Sequence, residues 1–295
     1  MSVASESPAS FRSSAIRPAA PALVGQGLTE LLSRRRLIRY LVQADLKKKG
    51  SDTLLGNIWW VVDPLLQMLV YVVLVSVIFD RPQPDYALFV FSAILPWKWF
   101  TSSITDGIGS VVGMERLIKQ INFPKIVLPV AAVVAGIANF FFGLIPLVVL
   151  MLLFYSDRIS AWLLVIPVVA AVQFLMTLPI AIVVAAVNVF YRDVGNLARH
   201  VLRLGFYASP GIYSLALVER AADHYPALKF LLYLNPWTVL FTSYHNIIYG
   251  GSDGATPPMA PDWAGLGVVT VVSLILLALA ILFFKRLEPT FAKVL

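Results

Sequence analysis

Few residues in this chain have chemistry to offer, and their positions limit what that chemistry can be. Asp63, Lys98 and Asp106 lie inside long hydrophobic runs. A charge at the centre of a bilayer costs about 2.5 kcal/mol or more, so such residues point to a bundle interior or an aqueous path. Asp63 and Asp106 each stand about seven residues from the inner end of their run, close enough to face water at a cytoplasmic entrance. Aromatics form a second group: Trp59, Trp60 and Tyr71; Trp97, Trp99 and Phe100; Tyr207 and Tyr213; then Tyr233, Trp237, Tyr244 and Tyr249. Most fit the belt that anchors membrane proteins at the headgroups. Tyr71, Trp97, Trp99 and Tyr207 are too deep or too clustered for a belt alone, and a ring with a polar tip suits the mixed surface of a passing sugar.

Two charged stretches complete the inventory. Residues 114–125 read as a short charged helix closed by Pro124, compact enough to pass force into the runs on either side. Asn188 to Val194 ends an apolar run with the pair Arg192-Asp193, an ordinary interfacial anchor when taken alone. No Gly-x-x-x-x-Gly-Lys-Ser/Thr loop, Ser/His/Asp arrangement, paired carboxylates or dinucleotide fingerprint occurs, so the chain reads as no enzyme and any ATP must be hydrolysed elsewhere. With no cysteine and three scattered histidines, no metal site is expected.

The elements that must carry these residues follow from composition. Of 295 residues 59% are hydrophobic and 13% charged, too little charge for an ordinary soluble domain, and the reading is an all-α integral membrane protein. The net charge of +7 comes from cations set between apolar runs rather than on one solvated face, which argues against nucleic acid. Six windows are long enough to cross: about 57–79, 87–112, 126–154, 161–190, 197–217 and 263–284. The fifth is the weakest, with Arg199, His200 and Arg203 in its first turns. With the N-terminus in the cytoplasm, 18 of the 23 Lys and Arg fall inside, so both termini are expected there. Residues 1–26, rich in Ser, Ala and Pro, read as a disordered cytoplasmic tail, leaving 27–295 as the transmembrane domain.

Leu31 to Lys49 reads as an amphipathic helix along the membrane surface, with Arg34, Arg35, Arg36, Arg39, Lys47, Lys48 and Lys49 facing anionic headgroups. It could serve as a topology anchor or as part of a docking surface for a cytoplasmic subunit. Between the fifth and sixth windows, Phe230 to Leu234 and Trp237 to Ile248 are apolar pieces too short to cross, separated by Asn235-Pro236. They fit either two short re-entrant helices or a hairpin lying wholly outside.

Several pieces together resemble the permeases of type-2 ABC exporters, which move O-antigen, teichoic acid and related cell-envelope polysaccharides. They are Gly56-Asn57-Ile58-Trp59 with Pro64, Leu95-Pro96-Trp97, the loop from Leu117-Ile118-Lys119 to Phe123-Pro124-Lys125, Asn188 to Val194, and Ser209-Pro210-Gly211-Ile212-Tyr213 leading to Leu234-Asn235-Pro236. The likeness runs from about residue 30 to the C-terminus in the expected order. It implies a homodimer in the bacterial inner membrane, joined to two cytoplasmic ATPase subunits that hold the ATP and Mg, while this chain binds no cofactor. It also implies an interfacial N-terminal helix, a coupling helix near 114–124 and two re-entrant outer helices.

Carried onto this sequence, the resemblance makes Glu115, Arg116, Lys119, Gln120 and Phe123, with Arg192 and Asp193, contacts for the ATPase, and the basic residues of 34–48 part of the interface helix. Trp59, Tyr71, Trp97, Trp99, Phe100, Tyr207, Tyr213 and Trp237 become the lining of a path for a lipid-linked polysaccharide of O-antigen, teichoic acid or galactan type. An unpaired hydroxyl in a fully apolar medium costs on the order of 4 to 8 kcal/mol, so a polymer needs a continuous polar and aromatic lining. The competing readings are an exporter of lipids or small amphiphiles, and a membrane anchor or assembly protein without transport.

Overall fold

The computed structural model describes residues 19–50, 56–79, 84–222, 226–251 and 256–295, and the regular structure among them is helical. In chain order the helices are α1 (Ala20–Ser33), α2 (Arg35–Gly50), α3 (Trp59–Val72), α4 (Tyr86–Ser110), α5 (Glu115–Gln120), α6 (Val127–Phe154), α7 (Ile166–Phe190), α8 (Val194–Tyr207), α9 (Leu215–Ala222), α10 (Pro226–Leu234), α11 (Pro236–Ile248) and α12 (Trp263–Val294). Among the described residues five stretches are long and apolar enough to cross a membrane: Trp59–Ile78, Tyr86–Ser110, Val127–Phe154, Ala161–Phe190 and Trp263–Val294. The first lengthens α3 by a π-helical turn, Val73–Ile78, and the last runs ten residues beyond the expected end at 284.

The expected span 197–217 is not a single helix. α8 stops at Tyr207, turns and bends occupy 208–213, and α9 starts at Leu215. Pro210 has no N–H to continue the ladder. The 14 residues of α8 reach only about 21 Å, short of a hydrocarbon core of roughly 30 Å. The expected tail also needs correction. Residues 1–18 lie outside the described part, but 20–26 are helical, with Pro21 fixing φ in the first turn and Gly27 letting α1 close onto Ile281 of α12. The amphipathic helix expected over 31–49 is broken at Arg34 into α1, which packs on α12, and α2, which packs on α6.

α4 is the centre of the bundle, packed by α3, α6, α7, α8 and α11. Small residues set its close approaches. A Cβ on Gly107 would come within 3.2 Å of Ala181, and one on Gly136 within 2.8 Å of the Trp99 ring and against Ser103 Oγ. Polar side chains in the apolar interior find partners: Gln173 donates to the Pro96 carbonyl (2.8 Å), the Tyr244 hydroxyl donates to Gln173 Oε1 (3.0 Å), and Asn188 donates to the Ile108 carbonyl (2.9 Å). Each bond removes the penalty of a bare amide or hydroxyl in a dry core.

At the end of the bundle where α6 gives way to α7, Arg158 is buried and ties its own connection to two others, the one before α4 and the one between α11 and α12. It donates to Asp85 (2.9 Å) and to the carbonyls of Tyr249 (3.2 Å) and Thr256 (3.1 Å), while the Tyr249 hydroxyl donates to the Pro84 carbonyl (2.8 Å). The outward sides of α3, α6 and α12 stay apolar and exposed, with Val70, Val77, Leu153 and Val268 each more than 60% open. A contiguous apolar face on several helices is what lipid contact requires.

Candidate functional site

At the opposite end of the bundle from Arg158, the N-terminal helix, the loop between α5 and α6, and the last helix meet in one ion cluster. Lys285 of α12 donates to both carboxylate oxygens of Glu30 (2.9 and 2.8 Å) and to Glu288 Oε2 (2.6 Å), and the other oxygen of Glu288 accepts the backbone N–H of Lys125 (2.5 Å). Lys285 and Glu288 are buried. An open cavity of about 550 Å³ beside them is lined by Leu23, Arg34, Phe123, Pro124 and Pro289 among others.

The short helix α5 stands next to this cluster. Ile118 is its buried anchor and Phe123 packs on the core, while Arg116, Lys119 and Gln120 are exposed and Glu115 is half-buried. Lys119 bonds Glu115 at 2.7 Å across one turn, and this bond, with the charges of Lys119, Arg192 and Arg116, holds the Glu115 carboxyl below its ordinary range. The structure therefore brings Glu115, Arg116, Lys119, Gln120 and Phe123 together with Arg192; Arg192 and Asp193 are exposed. The result is a solvated, mainly cationic knob seated on an apolar foot. Arg34, Arg35, Arg36 and Arg39 are exposed at the start of α2, and Leu37, Ile38 and Leu41 pack inward; Lys47 and Lys48 are exposed near its end.

The three intramembrane charges find partners. Lys98 pairs with Asp63 across α4 and α3, and Asp106 takes Lys49 of α2 at 2.6 Å, a lysine that Asp45 also holds at 2.9 Å. Burial opposes the charge on Lys49, but Asp106 and Asp45 outweigh it and raise its pKa. Both pairs line a cavity of about 380 Å³ between α2, α3, α4 and α6, with Trp59, Trp60, Trp99, Phe140, Ser102 and Asn139 on its walls. Lys98, Ser102 and Asp106 recur every fourth residue, so α4 turns one polar stripe toward this vestibule. Sequence reasoning flagged the charges but missed Lys49 as a partner, and it missed the Glu30–Lys285–Glu288 cluster, whose only local signal is a Lys and a Glu three residues apart on an apolar helix.

The aromatic residues divide. Trp59 is exposed and Trp99 is buried beside the vestibule. Trp97, Phe100 and Trp237 are only 6%, 5% and 5% exposed and form one cluster with Phe206 and Phe241; Trp97 and Trp237 lie 4.7 Å apart edge to face, and Phe100 and Trp237 4.9 Å. Tyr71 is buried against Phe206 (6.0 Å), Tyr207 is half-exposed, and the half-buried Tyr213 donates its hydroxyl to the Tyr207 carbonyl at 2.9 Å. Asn235, at the bend between α10 and α11, caps α11 through the Trp237 N–H (3.0 Å) and donates to Ser209 (2.7 Å). That bend therefore lies beside Trp97, halfway along α4.

No family model matches the chain. Among curated proteins it is similar to the O-antigen export system permease protein RfbA of Myxococcus xanthus, with 33% identity over 264 residues, 90% of this chain and 97% of that protein. Two proteins of the same name from Klebsiella pneumoniae are each 26% identical over 260 residues, 88% of this chain and 95% of theirs. An apolar multi-pass helical bundle with a cationic knob at one end agrees with that likeness across almost the full length of both chains, and the protein belongs to the O-antigen export permeases of the type-2 ABC transporters.

Proposed function

We propose that this chain is the permease half of an ATP-driven exporter that carries a lipid-linked cell-envelope polysaccharide across the bacterial inner membrane. The observation that carries this reading is the end-to-end similarity to an O-antigen export permease. In the working assembly two copies join two cytoplasmic ATPase subunits, which bind ATP and Mg and push on the α5 knob. The coupling contacts are Arg116, Lys119 and Gln120, supported by Glu115, Phe123, Arg192 and Asp193, and the exposed start of α2 flanks them.

Both termini lie in the cytoplasm, and a parity argument supports a sixth crossing. The Glu30–Lys285 bond joins the N-terminal helix to the end of the last helix, so the chain between them crosses an even number of times. Five continuous spans leave one crossing to be made in pieces, by α8 and the turn after it. Gly195 sits against Ile108 and Gly205 against Trp97, so α8 climbs the inner half of α4, and the Ile212 carbonyl reaches the Tyr86 hydroxyl (2.9 Å) near its outer end. α10 and α11 then form the re-entrant pair, with Asn235 at the deepest point. The substrate path follows the polar and aromatic surfaces of α3, α4 and α8 in the seam between copies.

The test expresses the chain with its cognate ATPase in a host lacking the homologous permease and follows surface polysaccharide on gels. Arg116→Glu with Lys119→Glu should cut surface polymer by about tenfold or more, since two lost charge-assisted contacts are worth roughly 3 kcal/mol together, while leaving the membrane level of the chain unchanged. Normal export from that variant would remove α5 as the coupling element. No polymer from the unaltered chain, with its ATPase bound and active, would remove polysaccharide as the cargo.

A further inference from the structure

The cavity of about 380 Å³ between α2, α3, α4 and α6 takes no wall from α8, and its charges balance: Lys49 and Lys98 against Asp63 and Asp106, joined as two ion pairs. Neither pair is sealed, since the side chains of Lys98 and Asp106 keep 29% and 31% of their surface open. An ammonium has three donors and a carboxylate about four acceptor sites, so each can take a further partner without releasing the one it holds. Two more groups on the walls lack partners. Trp99 is only 2% exposed, and its Nε1 donor, like the buried Oδ1 acceptor of Asn139, makes no hydrogen bond. A bare polar atom in a dry wall is costly, and these two need opposite things: an acceptor for the indole N–H and a donor for the amide oxygen.

Depth decides what can enter. The span Trp59–Ile78 is about 30 Å long, the thickness of the hydrocarbon core, and it begins at the cavity with Trp59 and Trp60. Tryptophans at the start of a span mark the headgroup level, so the cavity opens there. Beyond it two exposed apolar stripes run on, Leu66, Val70 and Val73 along α3 and Phe142, Ile145 and Val149 along α6. The second stripe starts at the rim, because Trp60 of the wall lies 5.1 Å from Phe142 and the neighbouring Gly143 packs on Leu95, one turn from Lys98. Asp106 stands eight residues further along α4, about 12 Å down its axis and away from the stripes.

A lipid with only an anion meets Asp63 and Asp106 in this cavity, and one with only a cation meets Lys49 and Lys98; a headgroup with both signs finds a partner for each. Its phosphate, next to the acyl chains, belongs at Lys98, and its cation reaches down to Asp106. Two hydrogen bonds of about 3 Å and a two-carbon link cover most of the distance between them. A quaternary ammonium has no N–H to give Asp106 or Asn139. We infer that this cavity seats the headgroup of a zwitterionic phospholipid bearing a primary ammonium, with phosphate at Lys98 and Trp99, ammonium at Asp106 and Asn139, and acyl chains along α3 and α6. The site stands on the bundle and its depth in the membrane, whatever the cargo. Because Lys49 of α2 is held by the same Asp106, it makes the seating of α2 on the bundle depend on the lipid around it.

The test is native mass spectrometry of the full-length chain with its ATPase, titrated with dioleoyl phosphatidylethanolamine, phosphatidylcholine or phosphatidylglycerol. All three carry the phosphate, and only the first carries an N–H cation. One phosphatidylethanolamine per chain should bind about tenfold more tightly than either of the others. Asp106→Asn, in which Lys49 keeps Asp45 at 2.9 Å, should erase that preference. Lys98→Met should weaken all three lipids alike. Equal binding of phosphatidylethanolamine and phosphatidylcholine to the unaltered chain overturns the inference, and this comparison needs no variant to fold. Tighter binding of phosphatidylglycerol overturns it too, since the cavity would then read the anion alone. A preference for phosphatidylethanolamine that survives Asp106→Asn, in a chain that melts as the unaltered one does, would place the lipid on another surface and end the assignment.

Discussion

Lys285 carries two carboxylates, Glu30 and Glu288, and is the only cation within ion-pair distance of either among the described residues. Replacing it with methionine would keep most of the stem packing and leave two acids facing each other in a buried corner. Breaking a buried pair by removing one partner costs about 3 to 5 kcal/mol, and Lys285→Met should fall near the lower figure because Glu30 keeps some contact with water. Thermal unfolding in detergent should therefore show a clear drop in Tm. Glu30→Gln should be milder, since an amide can still accept from Lys285 and Glu288 still balances it. Equal losses in the two variants would mean that the cluster contributes packing rather than charge pairing.

At the scale of helices, close approach at glycine does much of the work of holding α4 to its neighbours. A side chain at Gly136 meets the Trp99 ring and Ser103 Oγ, so Gly136→Leu should force α6 away from α4 and cost about 1 to 3 kcal/mol or more, with Gly109→Leu, where nothing lies within reach, as the benign control. Comparable folded yield and Tm for the two would contradict the packing described. Five of the spans were legible in the sequence because each offers a window of about 20 predominantly apolar residues, two of them with charges inside. The stretch 197–217 was misread as one continuous helix because hydropathy does not register that Pro210 and Gly211 end the helix early. α1 was hidden by an Ala- and Pro-rich composition, and its helix is made worthwhile by α12, a partner far away in sequence. Among site residues, the charges Asp63, Lys98 and Asp106 could be singled out from sequence, but their partners stand 35 and 57 residues away and Glu30 lies 255 from Lys285, separations that only the folded chain closes.

For the whole molecule, orientation is the prediction that matters most. The chain has no cysteine, so single cysteines report without background. Gln120→Cys on the exposed side of α5 should react with a membrane-impermeant maleimide only after cells are opened, and Asp157→Cys in the connection after α6 should react in intact cells; the reverse pattern would invert the protein and detach the knob from any cytoplasmic motor. The loops at the Arg158 end add a constraint. Arg158 binds Asp85, Tyr249 and Thr256 at once, and these residues belong to the segment that precedes α4 and to the connection between α11 and α12. Those bonds tie the rim on that side into a single plate and not separate petals: with the orientation and pairing proposed above, a polymer emerging there would meet the whole plate of one copy against its neighbour, and the exit would be a hinged shutter between copies in place of an iris within one.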